Sequence, residues 1–295
     1  MFPHSETSRW WLSGQINIIP QGLGSFRALY SGPNSLNPQS EIRASRIFTL
    51  YTALRLNHSS DIVFDLEEAS GNAISNSLGL AGYSNIDVVR VPGQGTPLST
   101  APYMARAIFR YVFPLSKENE EAEAGPLGVL RTLAVRRLEF RAGKVSLADF
   151  FDVNPVGSDS HFQFMNWTLV NNGAWDFAAD TRGYTYAAML EYHDRTWILR
   201  FAEALMPTVA NGVNLDGDLA RARGENLELE LHPSVIAQKR AEVRLLAYAN
   251  HANIGGGLKG SMQHWPAVYS QEFQNPRSLA AVDSDAERSR PGPIA

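Results

Sequence analysis

Cysteine is absent from the 295 residues, which excludes disulfide staples and thiolate metal sites. No window approaches about 18 consecutive apolar residues, so the sequence encodes no membrane-spanning helix. Charge is sparse and balanced. Charged residues make up 19% and the net charge is −4, with both signs scattered along the chain. The basic patch that usually marks a nucleic-acid partner is therefore missing. The opening stretch MFPHSETSRWWLSG has neither a basic start nor an apolar core, so it does not read as a secretory signal.

Catalytic signatures are also missing. The seven histidines show no HExxH or comparable ligand spacing, and there is no GxSxG nucleophile elbow. Gly93-Gln94-Gly95 and Gly255-Gly256-Gly257 lack the strand-to-helix setting of a phosphate loop and read as turns. The sequence thus predicts no cofactor and no metal. Asn57-His58-Ser59 and Asn166-Trp167-Thr168 match the glycosylation acceptor, a pattern short enough to arise by chance.

What is present is period-two alternation, the mark of strands whose successive side chains point to opposite faces. In the segment ending at His193, Tyr184, Tyr186, Ala188, Leu190 and Tyr192 share one face. Thr185, Ala187, Met189, Glu191 and His193 share the other. An apolar face with tyrosine near both ends fits a transmembrane strand between two aromatic girdles. About ten such candidates occur, most near the roughly 9–11 residues a tilted membrane strand needs. They include Leu12–Ile18, Phe48–Asn57, Asp61–Glu67, Ala105–Phe113, Arg137–Ala142, Trp197–Phe201, Asn226–His232 and Val243–Asn250. Ser31–Gln39 and Val91–Pro102 read as turns, Ala73–Leu80 as a short helix and Glu118–Gly125 as an acidic loop. From Ser278 onward the alternation stops and the chain reads as disordered.

Opposite the apolar faces sit Arg55, Glu67, Arg106, Arg110, Arg137, Glu139, Arg141, Glu191, Arg200, Glu228, Glu230 and Arg244. His161, His193 and His232 are expected on the same polar strand faces. Two architectures produce this pattern. In a soluble antiparallel sheet the charged face is solvated. In a membrane barrel the same face lines a water-filled channel. Asp152, Asp159, Asp176 and Asp180 fall in loop-like sequence. They admit either a glycan-active enzyme built on paired carboxylates or short acidic side chains forming turns.

Longer strings narrow the choice. SGQINIIPQ (Ser13–Gln21), YSGPNSL (Tyr30–Leu36) and GLAGYSNIDVVRVP (Gly79–Pro92) are followed by RRLEFRAGKVSLADFFDVN (Arg136–Asn154). Then come SDSHFQFMNWTLVNNGAWDFAADTRGYT (Ser158–Thr185), LMPTVANGVNLD (Leu205–Asp216) and RLLAYANHANIGG (Arg244–Gly256). In these strings the chain resembles the OprB-like carbohydrate-selective porin family, from about Trp10 to Gly260.

The resemblance implies an all-β fold, an antiparallel transmembrane β-barrel of porin type, and passive diffusion of carbohydrates across the outer membrane of a Gram-negative bacterium. It implies no enzymatic chemistry. The partners it implies are mono- or oligosaccharide solutes and outer-membrane lipid, with monomer or homo-oligomer left open. Lumen-facing Arg110, Arg137, Glu139, Arg141, Glu191 and Arg200 are the expected solute path. The expected division is residues 1–9 as an N-terminal segment without a signal peptide, 10–270 as the barrel region and 271–295 as a non-family tail. A family barrel has about sixteen strands and at roughly 25 residues for each needs ~400 residues. The barrel is therefore expected to be incomplete, lacking its closing strands, as in a truncated or frameshifted product. The soluble glycan-active enzyme and a nonfunctional porin remnant are the alternatives.

Overall fold

The structure is a computed structural model that describes residues 7–32, 34–77, 79–93, 98–155, 157–232, 242–252 and 263–265. Gly255–Gly257 and the stretch from Ser278 onward lie outside the described residues. Twelve strands are described: β1 Trp10–Leu23, β2 Glu41–Arg55, β3 Ser60–Gly71, β4 Tyr103–Pro114, β5 Asn119–Glu121, β6 Thr132–Ala134, β7 Arg137–Val145, β8 Thr185–His193, β9 Trp197–Leu205, β10 Arg223–Leu231, β11 Val243–Ala252 and β12 Gln263–Trp265. A single turn of α-helix, α1, covers Trp167–Val170.

Ten strands form one sheet in the order β1-β2-β3-β4-β7-β8-β9-β10-β11-β12, and β5 and β6 form a separate hairpin. Every pairing is antiparallel. The sheet is an up-and-down meander whose edges, among the described strands, are β1 and β12. Connections 56–59 and 194–196 are tight and lie at one end, together with the longer 115–136, which carries the β5–β6 hairpin. Connections 24–40, 72–102, 146–184 and 206–222 lie at the other and are long. Porin-type barrels have this asymmetry of short turns and long loops.

The sheet is apolar outside and charged inside. Ile16, Ile18 and Leu245 are 59%, 66% and 59% exposed, whereas Asp61, Glu67, Glu139 and Glu228 are at most 1% exposed. A water-soluble sheet buries the opposite set. One outward row runs Tyr111, Phe140, Leu190, Phe201, Leu227 and Ala247 across six strands. At the short-turn end, Tyr111 packs on Phe113 and Tyr192 on Trp197, with ring centroids 4.4 and 5.0 Å apart. The reading in which the charged face is solvated is thereby corrected: that face is covered, and the apolar face is the open one.

The cover comes from the connections. Segment 146–184 folds back over the inner face and brings Leu147, Phe151, Trp175 and Ala178 against Val145, Ala202, Ala204 and Met206. The wall is made of small residues there, and a Cβ on Gly224 would come within 2.9 Å of the Ala178 Cβ.

Four local readings need correction. Tyr184 does not share the outward face of Tyr186. Gly183, at φ +89°, turns the chain just before β8, and Tyr184 enters the interior at 1% exposure. Ala105 is also buried rather than outward, because the β3–β4 register shifts beside Asp65 and Leu66, leaving Ala105 as the extra residue. The acidic stretch Glu118–Gly125 contains β5, held by its pairing to β6. Ala73–Leu80 contains 3-10 turns at Ile74–Ser77 and from Gly79, with left-handed backbone at Ser75, Asn76 and Ser77.

Placing a charge on the outer face tests its surroundings. Leu190→Arg, mid-strand in β8, is expected to weaken folding in phospholipid vesicles by roughly 2–4 kcal/mol, read from denaturant titrations. A neutral or stabilising effect would contradict a lipid-facing wall.

Candidate functional site

The inner face carries a continuous ladder of ion pairs, and strand register assembles it. Asp61 on β3 stands opposite Arg110 on β4, which stands opposite Arg141 on β7. Glu139 on β7 is opposite Glu191 on β8, and Glu191 is opposite Arg200 on β9. Arg200 is opposite Glu228, and Glu230 is opposite Arg244. Two of these oppositions, Arg110 with Arg141 and Glu139 with Glu191, join like charges and are unfavourable alone.

Contacts along and across the strands resolve the conflict. Glu139 accepts from Arg137 at 2.6 Å and from Arg141 at 2.5 Å. Arg141 also pairs with Glu191. Arg200 then reaches Glu191 at 3.0 Å, Glu228 at 2.9 Å and Glu230 at 2.5 Å. The Arg244 guanidinium closes the row on Glu230 at 3.1 Å. Each carboxylate thus has a cation, which buried charges require.

Asp61 anchors one end. Its carboxylate receives Arg110 at 3.0 and 2.6 Å and the backbone N–H groups of Val129 (2.8 Å) and Leu130 (3.2 Å). The segment from Leu115 to Arg136, which enters from the short-turn end, is thereby pinned to the wall. A side chain beside it would have to displace the guanidinium, since a Cβ at Gly128 would lie 2.7 Å from Arg110 Nη2 and 3.2 Å from Asp61 Oδ2.

A second cluster lies toward the long-connection end. Arg106 forms a two-pronged pair with Asp149 (2.7 Å at both prongs) and approaches Asp65 at 3.4 Å. Glu67 accepts from the hydroxyls of Tyr103 (2.7 Å) and Tyr184 (2.8 Å) and lies 3.7 Å from Arg90. Burial first, and then the Glu67 charge, push the Tyr184 hydroxyl well above its usual range, so it stays protonated and donates. This cluster joins β3 and β4 to segments 72–102 and 146–184.

All six expected path residues, Arg110, Arg137, Glu139, Arg141, Glu191 and Arg200, fall on this one face and within the first ladder. His193 points inward as expected and meets Arg137 at 3.1 Å. His161 is not on a strand; it lies in segment 146–184. The loop aspartates cap backbone: Asp152 accepts from the Asn172 N–H (2.5 Å), Asp159 from His161 (2.8 Å) and Asp180 from Arg182 (2.8 Å). Asp159 and Asp180 thus follow the turn-forming reading, whereas Asp152 joins two stretches of its segment that are distant in sequence. Glu139, Glu191 and His193 lie close enough to hold an ion. Arg137, Arg141 and Arg200 already neutralise the two carboxylates, so the donor set does not suit a cation.

Sequence reasoning missed Arg90, Asp149 and Tyr184 as inner-face residues. Arg90 and Asp149 have no strand alternation to mark them, and Tyr184 sits in apparent phase with β8.

No protein-family model matches the sequence, and no curated protein matches it either. Among solved structures, the chain is similar to Pseudomonas putida OprB in its high-pH structure, with a TM-score of 0.51 and 14% identity. The match covers 82% of this chain and 52% of that one, so the chain spans about half the length of the structure it resembles. At this identity the likeness concerns the fold, which is that of an OprB-like porin wall.

Removing one rung tests the ladder. Glu139→Gln leaves Arg137 and Arg141 facing a neutral amide and is expected to destabilise by about 3–5 kcal/mol, measured by urea unfolding in detergent. Replacing Glu139 and Arg141 together with Leu and Met should recover part of that loss.

Proposed function

We propose that the chain forms the wall of an outer-membrane porin that passes carbohydrates by diffusion. The observation that carries this reading is the inverted sheet: lipid suits the open apolar face, and an aqueous path suits the charged one. The likeness to a porin supports the same placement. Under this reading the partners are outer-membrane lipid and mono- or oligosaccharide solutes, and the setting is a Gram-negative outer membrane.

The path would run along Arg110, Arg137, Glu139, Arg141, Glu191 and Arg200. Guanidinium groups donate and carboxylates accept, so the row can exchange hydrogen bonds with sugar hydroxyls as water is shed. Because each carboxylate has a guanidinium partner, the row presents little net charge, which favours a neutral polyhydroxylated solute over an ion. Segments 146–184 and 115–136 narrow the path from opposite ends. No covalent step is involved.

Liposome swelling tests the proposal. Vesicles carrying the wall refolded as part of a closed, full-length barrel should swell in isotonic monosaccharide faster than protein-free vesicles, and more slowly as oligosaccharide length increases. Rates equal to those of protein-free vesicles for every sugar would overturn it. In planar bilayers, Arg200→Ala removes one inner positive charge and is expected to shift the zero-current potential in a salt gradient toward cations.

A further inference from the structure

One buried imidazole ties together elements that are distant in sequence. The His161 side chain is 4% exposed, with Nδ1 3.3 Å from Asp159 Oδ1 on its own segment. Its Nε2 faces segment 72–102, at 3.2 Å from Arg90 Nη1 and 3.6 Å from Asp87 Oδ1. The His161 carbonyl accepts the side-chain amides of Gln15 (2.9 Å) and Asn17 (3.0 Å) on β1. The same seam is sewn by Ser160, which donates to Asp87 Oδ1 at 2.7 Å. It is extended by the Trp167 N–H, which donates to the Tyr83 carbonyl at 2.9 Å under rings 5.5 Å apart.

Two neighbours make opposite demands on Nε2. A neutral ring with its hydrogen on Nδ1 donates to Asp159 and accepts from Arg90. A protonated ring carries a second hydrogen on Nε2, which opposes the Arg90 donor and needs an acceptor. Asp87 supplies one: its Oδ1 lies 3.6 Å from Nε2, and its carboxylate has acceptor capacity to spare, since Oδ2 is buried without a hydrogen-bond partner among the described residues.

We propose that His161 is a proton-sensitive latch between segments 146–184 and 72–102. Protonated, it bridges Asp159 and Asp87 and holds the two segments together. Neutral, it releases Asp87 and is tied to segment 72–102 only by the hydrogen bond it accepts from Arg90. The charges around it come from every packed element. Glu67 on β3 reaches it beside Arg90, and Arg106 on β4 acts on Asp159, whose charge in turn reaches Tyr51 on β2.

Burial disfavours the charged ring. The hydrogen bond to Asp159 and the Asp87 and Glu67 carboxylates outweigh both burial and Arg90, so the His161 pKa lies above its ordinary 6.5. A raised folded-state pKa gives stabilisation that is complete below the ordinary histidine value and lost as pH rises through the raised one. The Asp87 link is therefore lost on the alkaline side, where Arg90 becomes the partner of Nε2.

The test uses the chain refolded in detergent with 5-fluorotryptophan, reading the ¹⁹F resonance of Trp167, assigned by Trp167→Phe. Between pH 5 and 9 that resonance should shift and narrow with a midpoint above 6.5, matching the ¹³C titration of His161. His161→Gln should abolish the transition. Asp87→Asn removes a carboxylate and should move the midpoint to lower pH, with the buried Trp175 resonance reporting that the fold is intact. A flat Trp167 signal in the unmodified chain would overturn the latch, as would a transition that survives His161→Gln or an Asp87→Asn midpoint that does not fall. None of these signals depends on solute passage, so the latch and the transport reading can fail independently.

Discussion

A carboxylate or guanidinium taken out of water must be paired, and this sheet meets that requirement along a row from Asp61 on β3 to Arg244 on β11. The requirement fixes register. Side chains alternate with period two, so a one-residue slip of any strand would turn its charges to the apolar exterior. In hydrocarbon such a charge has neither water nor a partner. The ladder and the apolar exterior are therefore two consequences of one alignment, and a change in either disturbs both.

The connections depend on the same groups. Asp61 holds Arg110 and two backbone N–H groups of segment 115–136 with one carboxylate. Asp149, at the start of segment 146–184, takes Arg106 from the wall. Glu67 receives Tyr184, which is 117 residues away in sequence. The interior is narrowed by segments clamped to the wall through charge, while the small residues Ala202, Ala204 and Gly224 let Ala178 approach closely. Polar clamps of this kind can respond to protons in a way that apolar packing cannot.

Much of this was legible in the sequence. Alternation located the long strands because each has an open apolar face and a covered polar face, and that also put Arg110, Arg137, Glu139, Arg141, Glu191 and Arg200 on one face. The long strings suggested the porin architecture that the fold displays, although no family model matches the chain. What alternation could not convey was where it stops. Tyr184 keeps phase with Tyr186 in the sequence and points the other way in space, because Gly183 redirects the backbone. Ala105 keeps phase with Ala107 and is displaced by a register shift. Arg90, Asp149 and His161 sit in connections whose course is set by tertiary contacts, so no local pattern announces them.

The central claim is that one face of the sheet meets lipid and the other, covered by its connections, is closed to it. A nitroxide scan of β10 from Asn226 to Leu231 tests it most directly, and the absence of cysteine allows one label at a time. In lipid vesicles, collision with oxygen should peak at Leu227, Leu229 and Leu231. At Asn226, Glu228 and Glu230, which the connections cover, collision with oxygen and with a water-soluble nickel chelate should both be low. An oxygen profile of period two with its minima at these inner residues is the predicted result. An oxygen profile without that period, or a chelate maximum at the leucines, would contradict the inverted wall.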